Sequence, residues 1–194
     1  MFHNILVRFW HFPVVTLGPG RRLGIWLQGC SIHCEGCIAP ENQPFDETFL
    51  MTVNELMSET AKALSEADGV TISGGEPLDQ KDALQYLLNE INRRGKNDIL
   101  IYSGYTKSRV LKIFPELQNF TAALISEPFV RGDITSAIWK GSENQILTIF
   151  NEQYKGKYEV WSKSAERRLQ LVRKDTGSYL LGIPQQDDLT ILRG

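Results

Sequence analysis

All three cysteines of the chain fall within one short stretch, Cys30-Ser-Ile-His-Cys34-Glu-Gly-Cys37. Three thiols this close on one loop can face a single centre. An odd, clustered set pairs badly as disulfides and well as metal ligands. Soft thiolates select zinc, copper(I) or iron–sulfur clusters over hard cations. A four-iron cubane held by three cysteines leaves one iron without a protein ligand, open to substrate or cofactor. Two blander readings stand beside this one. A disulfide would strand the third thiol, and a structural zinc would need a fourth ligand, for which His33 is the nearest candidate but strains the loop beside Cys34.

The second stretch able to do chemistry is Gly74-Gly75-Glu76-Pro77. Paired glycines let backbone approach a ligand and adopt unusual dihedrals, and Glu76 adds a carboxylate. As a bland alternative, the stretch is a tight turn between a strand and a helix. Arg21 and Arg22 follow the turn Gly18-Pro19-Gly20 and read as a solvated pair. His3, His11 and His33 read as structural or surface residues.

The elements that must position these residues follow from periodicity. Ile5 to Val15 is read as containing a strand. Leu23 to Gln28 is a short apolar run that feeds Gly29 and the cysteine loop, so the loop lies at the carboxyl end of a buried strand, where open α/β sheets bind ligands. Thr52-Val-Asn-Glu55 is a capping box that opens a helix with Val53, Leu56, Met57, Leu64 and Ala67 on one face, ending near Asp68-Gly69. Val70 to Ser73 is a second buried strand, leading straight into Gly74-Gly75-Glu76. A helix over Gln80 to Arg94 follows, then a strand over Ile99 to Tyr102 that ends at Ser103. A short helix over Lys107 to Phe114 and a strand over Thr121 to Ile125 complete the alternation. This order argues for a mostly parallel sheet. Beyond it, Arg131 to Lys140 reads as a polar connection, Ile146 to Phe150 as an apolar run and Tyr158 to Trp161 as a strand. Leu169–Arg173 and Tyr179–Ile183 read as a hairpin about a turn at Lys174–Gly177, and Gln185 to Asp188 as exposed.

The chain has 194 residues, 42% of them hydrophobic and 23% charged, which suits one α/β domain with room for a core. A net charge of −2 gives no reason to expect nucleic-acid or membrane-surface binding. No apolar run reaches the roughly 20 residues of a membrane span, and the apolar opening lacks the features of a signal peptide. Clustered thiols without an export signal point to the reducing cytoplasm.

Together the motifs resemble the radical S-adenosylmethionine (SAM) enzymes. The likeness rests on Cys30, Cys34 and Cys37 after one strand and Gly74-Gly75-Glu76-Pro77 after the next. Gly18-Pro19-Gly20 with Arg22, Gln28-Gly29, Gly36, Pro40-Glu41 and Gly141-Ser142 with Asn144-Gln145 resemble the short branch that activates glycyl radical enzymes, the class III ribonucleotide reductase activases in particular. Leu17 stands where many of these have Asp, and Ile38-Ala39 where an aromatic or His followed by Asn is usual.

The resemblance covers roughly three quarters of the chain. It implies a partial (β/α) barrel with a core at about 16–150 and a hairpin extension at about 151–194. It implies a [4Fe-4S] cluster on Cys30, Cys34 and Cys37. It implies SAM held by Gly36, Cys37 and Ile38 at the adenine, by Gly74, Gly75 and Glu76 at the methionyl ammonium, and by Ser103 at the ribose or carboxylate. Reductive SAM cleavage would give a 5′-deoxyadenosyl radical that abstracts hydrogen from a glycine of a partner enzyme, with electrons from a flavodoxin- or ferredoxin-type donor. Two other readings are direct radical modification of a peptide, nucleotide or small molecule, and a non-catalytic zinc- or cluster-binding module.

Overall fold

The computed structural model describes residues 3–164, 166, 168–174 and 177–184. The first strand, β1 (Asn4–Val14), runs antiparallel to β2 (Arg22–Leu27) on one side and to the short β3 (Leu50–Thr52) on the other. Thr52 then caps α1 (Val53–Glu59) in a full capping box with Glu55. The single expected helix is two: Thr60 is fully buried and its hydroxyl donates to the Leu56 carbonyl, and α2 (Ala61–Glu66) restarts after it. Such back-bonding by threonine competes with the helical ladder and bends it.

The chain continues through β4 (Gly69–Gly74), α3 (Lys81–Arg93), β5 (Ile99–Tyr102), α4 (Lys107–Ile113) and β6 (Ala123–Ser126). Strands β2, β4, β5 and β6 are parallel neighbours. β7 (Ile146–Ile149) closes the far edge antiparallel to β6, giving the order β3-β1-β2-β4-β5-β6-β7. The four central strands therefore end on one side, and their exit loops carry the cysteines, Glu76, Ser103 and Glu127.

One face of the sheet packs on the helices: Leu56 and Met57 of α1, Leu84, Leu87, Leu88 and Ile91 of α3, and Val110 of α4 join the strand residues in one core. The other face is covered by the C-terminal part of the chain. α5 (Lys155–Ser162) sets Tyr158 and Trp161 against Leu100, Ala123 and Ile125. The segment Tyr158 to Trp161, expected as a strand, is thus helical. Tyr158 and Trp161 lie one helical turn apart on the buried side, with ring centroids at 6.1 Å, while Val160 between them is 76% exposed.

The expected hairpin is present as β8 (Gln170–Lys174) and β9 (Gly177–Leu181), with Val172 and Leu181 packed on Phe9, Val14 and Leu17 and Tyr179 stacked on Phe9 at 4.1 Å. The middle of its turn and the stretch Gln185 to Asp188 lie outside the described residues.

Arg22 corrects the reading of a solvated arginine pair. It is fully buried. Its guanidinium donates to Thr71 Oγ1 (2.6 Å), the Val70 carbonyl (2.6 Å), the Asp98 carbonyl (3.0 Å) and Asp98 Oδ1 (3.2 Å). It sits at the start of β2, at the opposite end of the strand from the cysteine loop. There it ties β2 to β4 and to the turn before β5. Tyr158 and Lys157 of α5 complete the cage around Asp98. Five donors in a rigid fork make arginine the residue that can satisfy such a buried set. Among the described residues, no helix is long and apolar enough to cross a membrane.

Candidate functional site: three thiols and a buried carboxylate at the strand exits

The parallel ladder between β2 and β4 runs on past the strands. Its last paired residues are Leu27 and Gly74. The Gly75 N–H then donates to the Leu27 carbonyl (2.7 Å) and the Glu76 N–H to the Gly29 carbonyl (2.9 Å). The Gly-Gly-Glu turn is thereby zipped onto the backbone that leads into Cys30. A side chain does not fit there. A Cβ on Gly75 would lie 2.0 Å from the Gly29 oxygen, and one on Gly74, which has φ +107°, would lie 2.3 Å from the Leu27 nitrogen. The two glycines are required by the close approach of two stretches of the chain's own backbone.

The cysteine loop leaves β2 and returns beside it. Gly29 and Cys30 donate their N–H groups to the carbonyls of Asn42 (2.8 Å) and Gln43 (2.9 Å), and the buried Gln28 side chain donates to those of Glu41 (3.0 Å) and Pro44 (2.6 Å). All three cysteines are free and half-buried. Burial pushes the Cys30 thiol up, against N–H groups from Ile32 and His33 that favour its thiolate. Burial likewise raises Cys34, whose sulfur is met by the Phe129 N–H from the β6 exit and feels Cys37 and Glu76.

Preformed N–H donors to the sulfurs suit metal-bound thiolates, whose basicity they moderate. The donor set is three soft sulfurs. Among the described residues, no three His, Cys, Asp or Glu side chains group around one mononuclear ion. The thiolates of a cubane each bind a different iron. By the chemistry of the donor set, three soft sulfurs on one loop, the residues fit a [4Fe-4S] cluster. His33 is exposed and lies 3.4 Å from the Gln43 side chain.

Glu76 is 1% exposed. Its Oε1 accepts from the Leu78 N–H (2.9 Å) and Ser103 Oγ (2.9 Å), and its Oε2 from the Gly104 N–H (2.8 Å). Burial outweighs these three bonds and raises its pKa to about 7. Ser103 spends its one hydroxyl proton on Glu76 and accepts from the Tyr105 N–H (3.1 Å), so towards a further ligand it can only accept. Gly36 has φ +73° at the turn before Cys37, and the following Ile38 is 55% exposed. The structure thus gathers Cys30, Cys34, Cys37, Glu76 and Ser103 at one end of the sheet.

The motif around Gly141 has its own task. Ser142 is fully buried, receives the Val130 N–H and donates to Asn144. Asn144 donates to the Pro128 carbonyl, and Gln145 to that of Glu127. These bonds shape the β6 exit that brings Phe129 to Cys34 and Arg131 to Glu35 at 3.0 Å. That ion pair is exposed and adds little stability by itself.

Sequence reasoning missed Asp79, which accepts from the Ser31 N–H (2.7 Å) and hydroxyl (3.1 Å) and from the Tyr105 hydroxyl. Its only signal was its place three residues after Glu76.

Three soft sulfurs on the exit loop of a central parallel strand mark a candidate metal centre in a protein of the α/β class. The family model described as "4Fe-4S single cluster domain" matches residues 16–148. The anaerobic ribonucleoside-triphosphate reductase-activating protein of Enterobacteria phage T4 is 30% identical over 136 residues, 67% of this chain and 85% of the relative. The proteins of that name from Escherichia coli K12 and Haemophilus influenzae are 26% and 25% identical over 150 and 148 residues. They cover 71% and 72% of this chain, and 94% and 96% of their own lengths. The chain belongs to the family of anaerobic ribonucleoside-triphosphate reductase-activating proteins, 4Fe-4S enzymes of the radical SAM type.

Proposed function

We propose that this chain activates an anaerobic ribonucleoside-triphosphate reductase by making a glycine-centred radical on it. The carrying observation is that two backbone hydrogen bonds hold the Gly-Gly-Glu turn to Leu27 and Gly29, just ahead of Cys30, so a ligand at the open iron would meet Glu76's end of β4. Bound there, a [4Fe-4S] cluster and SAM would supply one-electron cleavage of the sulfonium and a 5′-deoxyadenosyl radical able to take hydrogen from glycine.

The chain's own residues position that chemistry. Cys30, Cys34 and Cys37 each hold an iron. The Gly74-Gly75 backbone and Glu76 offer acceptors to the methionyl ammonium. The backbone of Gly36, Cys37 and Ile38 flanks the adenine, and Ser103 accepts from the ribose. The parallel strands serve as the partial barrel of such enzymes, and a flavodoxin- or ferredoxin-type protein supplies the electron. The partner's glycine enters at the exit-loop end, where Ile38 and Val130 are exposed.

Anaerobic reconstitution should give about four irons per chain, and reduction with SAM should release 5′-deoxyadenosine. Adding the reductase encoded by the same genome should give a glycine doublet in electron spin resonance. Cys34→Ala should abolish cluster and cleavage together. A colourless protein holding one zinc would overturn the proposal. Cleavage with no glycine signal would shift it to direct modification of another substrate.

A further inference from the structure

We propose that Asp79 is a positioning residue of the cluster loop: its carboxylate ties Ser31, the residue after Cys30, to the exits of β4 and β5, and sets a fixed negative charge beside the cluster. The inference rests on the reading that Cys30, Cys34 and Cys37 hold a cluster.

The geometry is a closed knot. Asp79 Oδ2 accepts the Ser31 N–H at 2.7 Å, while Oδ1 accepts the Ser31 hydroxyl at 3.1 Å and the Tyr105 hydroxyl. The two hydroxyls also lie 2.9 Å apart. The Arg109 guanidinium covers the Tyr105 ring at 3.7 Å from its centroid, which holds the phenol in place. Three strand exits, from β2, β4 and β5, therefore converge on one carboxylate. Hydrogen bonds to an ionised acceptor are roughly twice as strong as neutral ones. The peptide that follows Cys30 is thus clamped by a side-chain carboxylate.

Asp79 also acts through space, since its carboxylate is held by the Ser31 N–H at 2.7 Å, in the peptide that follows Cys30. Net charge and hydrogen bonding around the sulfurs set the reduction potential of an iron–sulfur cluster. A carboxylate beside Cys30 favours the oxidised, less negative cluster and makes its reduced form a stronger donor. That is useful to an enzyme that must push an electron into a sulfonium.

The test uses the full chain, reconstituted anaerobically. Asp79→Asn keeps the shape and an acceptor for the Ser31 N–H but removes the charge. Tyr105→Phe removes one donor and keeps the charge. Redox titration followed by electron spin resonance should place the Asp79→Asn cluster at a less negative midpoint than the parent's, with Tyr105→Phe at the parent's value or below it. Iron loss to a chelator should quicken about tenfold in Asp79→Ala, which leaves the Ser31 N–H unheld, and less in Tyr105→Phe. If Asp79→Ala loses the cluster while circular dichroism shows the parent fold, the clamp is supported. If the Asp79 variants do not fold, Tyr105→Phe decides, and iron loss at the parent's rate counts against the clamp. Asp79 variants with the parent's midpoint and chelation rate would overturn the proposal, whereas a parent protein that takes up no cluster would overturn the reading beneath it.

Discussion

Glu76 brings a carboxyl to a place with 1% exposure, and burial there outweighs three hydrogen bonds that favour its charge. With its pKa raised to about 7, this acid holds its proton in the fold at a pH where the unfolded chain has lost it. The unfolded state then binds fewer protons, so stability falls as pH rises from about 4.5 to about 7 and is level above that. The cost at neutral pH is about 3 kcal/mol. Denaturant titrations of the metal-free protein should show that decline, and Glu76→Gln should flatten it. The same slope in the variant would mean that another group is responsible. A cation set opposite Glu76, such as a methionyl ammonium, would recover this energy by pairing with the charged form. Glu76 was legible in the sequence because it shares a short contiguous motif with its glycines. Asp79 was not, because its partners Ser31 and Tyr105 stand 48 and 26 residues away and meet it only when three strands end side by side.

The elements themselves were legible where one face is buried and the period is clean. β5 has the expected bounds, α3 differs by one residue at each end, and the capping box before α1 is complete. Two misreadings have plain physical reasons. α5 is a short helix with Gly156 near its start and a single fully buried residue, Tyr158, so its apolar spacing mimics a strand. Arg22 looked solvated because the groups that bury it, Thr71, Asp98 and Tyr158, come from three distant elements. At this scale the junction between β2 and β4 makes the sharpest prediction. In Gly75→Ala the new Cβ meets two backbone oxygens, Gly29 at 2.0 Å and Asn42 at 3.0 Å, which cannot rotate aside. The β4 exit must then separate from the cysteine loop. We expect a loss of about 1–3 kcal/mol and reconstituted iron below half of the parent's. Gly156→Ala in α5 has nothing within 4 Å of the new carbon and should gain about 0.5–1 kcal/mol with normal iron. Equal iron in the two variants would show that the glycines of the turn are replaceable.

Across the whole molecule, the face of the sheet turned away from α1 and α3 is covered by α5 and the β8–β9 hairpin, both beyond residue 148, where the family match ends. That cover accounts for one departure from the family pattern. Leu17, where many activases carry Asp, is 5% exposed and packs with Phe9, Val14, Val172 and Leu181. A carboxylate there would face the underside of the hairpin among Phe9, Val14, Val172 and Leu181. Residue and extension therefore belong together: the hairpin needs an apolar seat, and Leu17 supplies part of it. Leu17→Asp should cost about 3–5 kcal/mol at neutral pH, the scale of an uncompensated buried charge. The cost should shrink below about pH 4, where the acid enters the fold neutral as readily as it leaves it. Leu17→Met, which conserves volume, should cost less than about 1.5 kcal/mol. Thermal melts at two pH values read both effects, and limited proteolysis should cut the Leu17→Asp chain first between Lys163 and Lys174 as the hairpin lifts. A Leu17→Asp protein that melts with the parent at neutral pH would show that the hairpin does not depend on that seat.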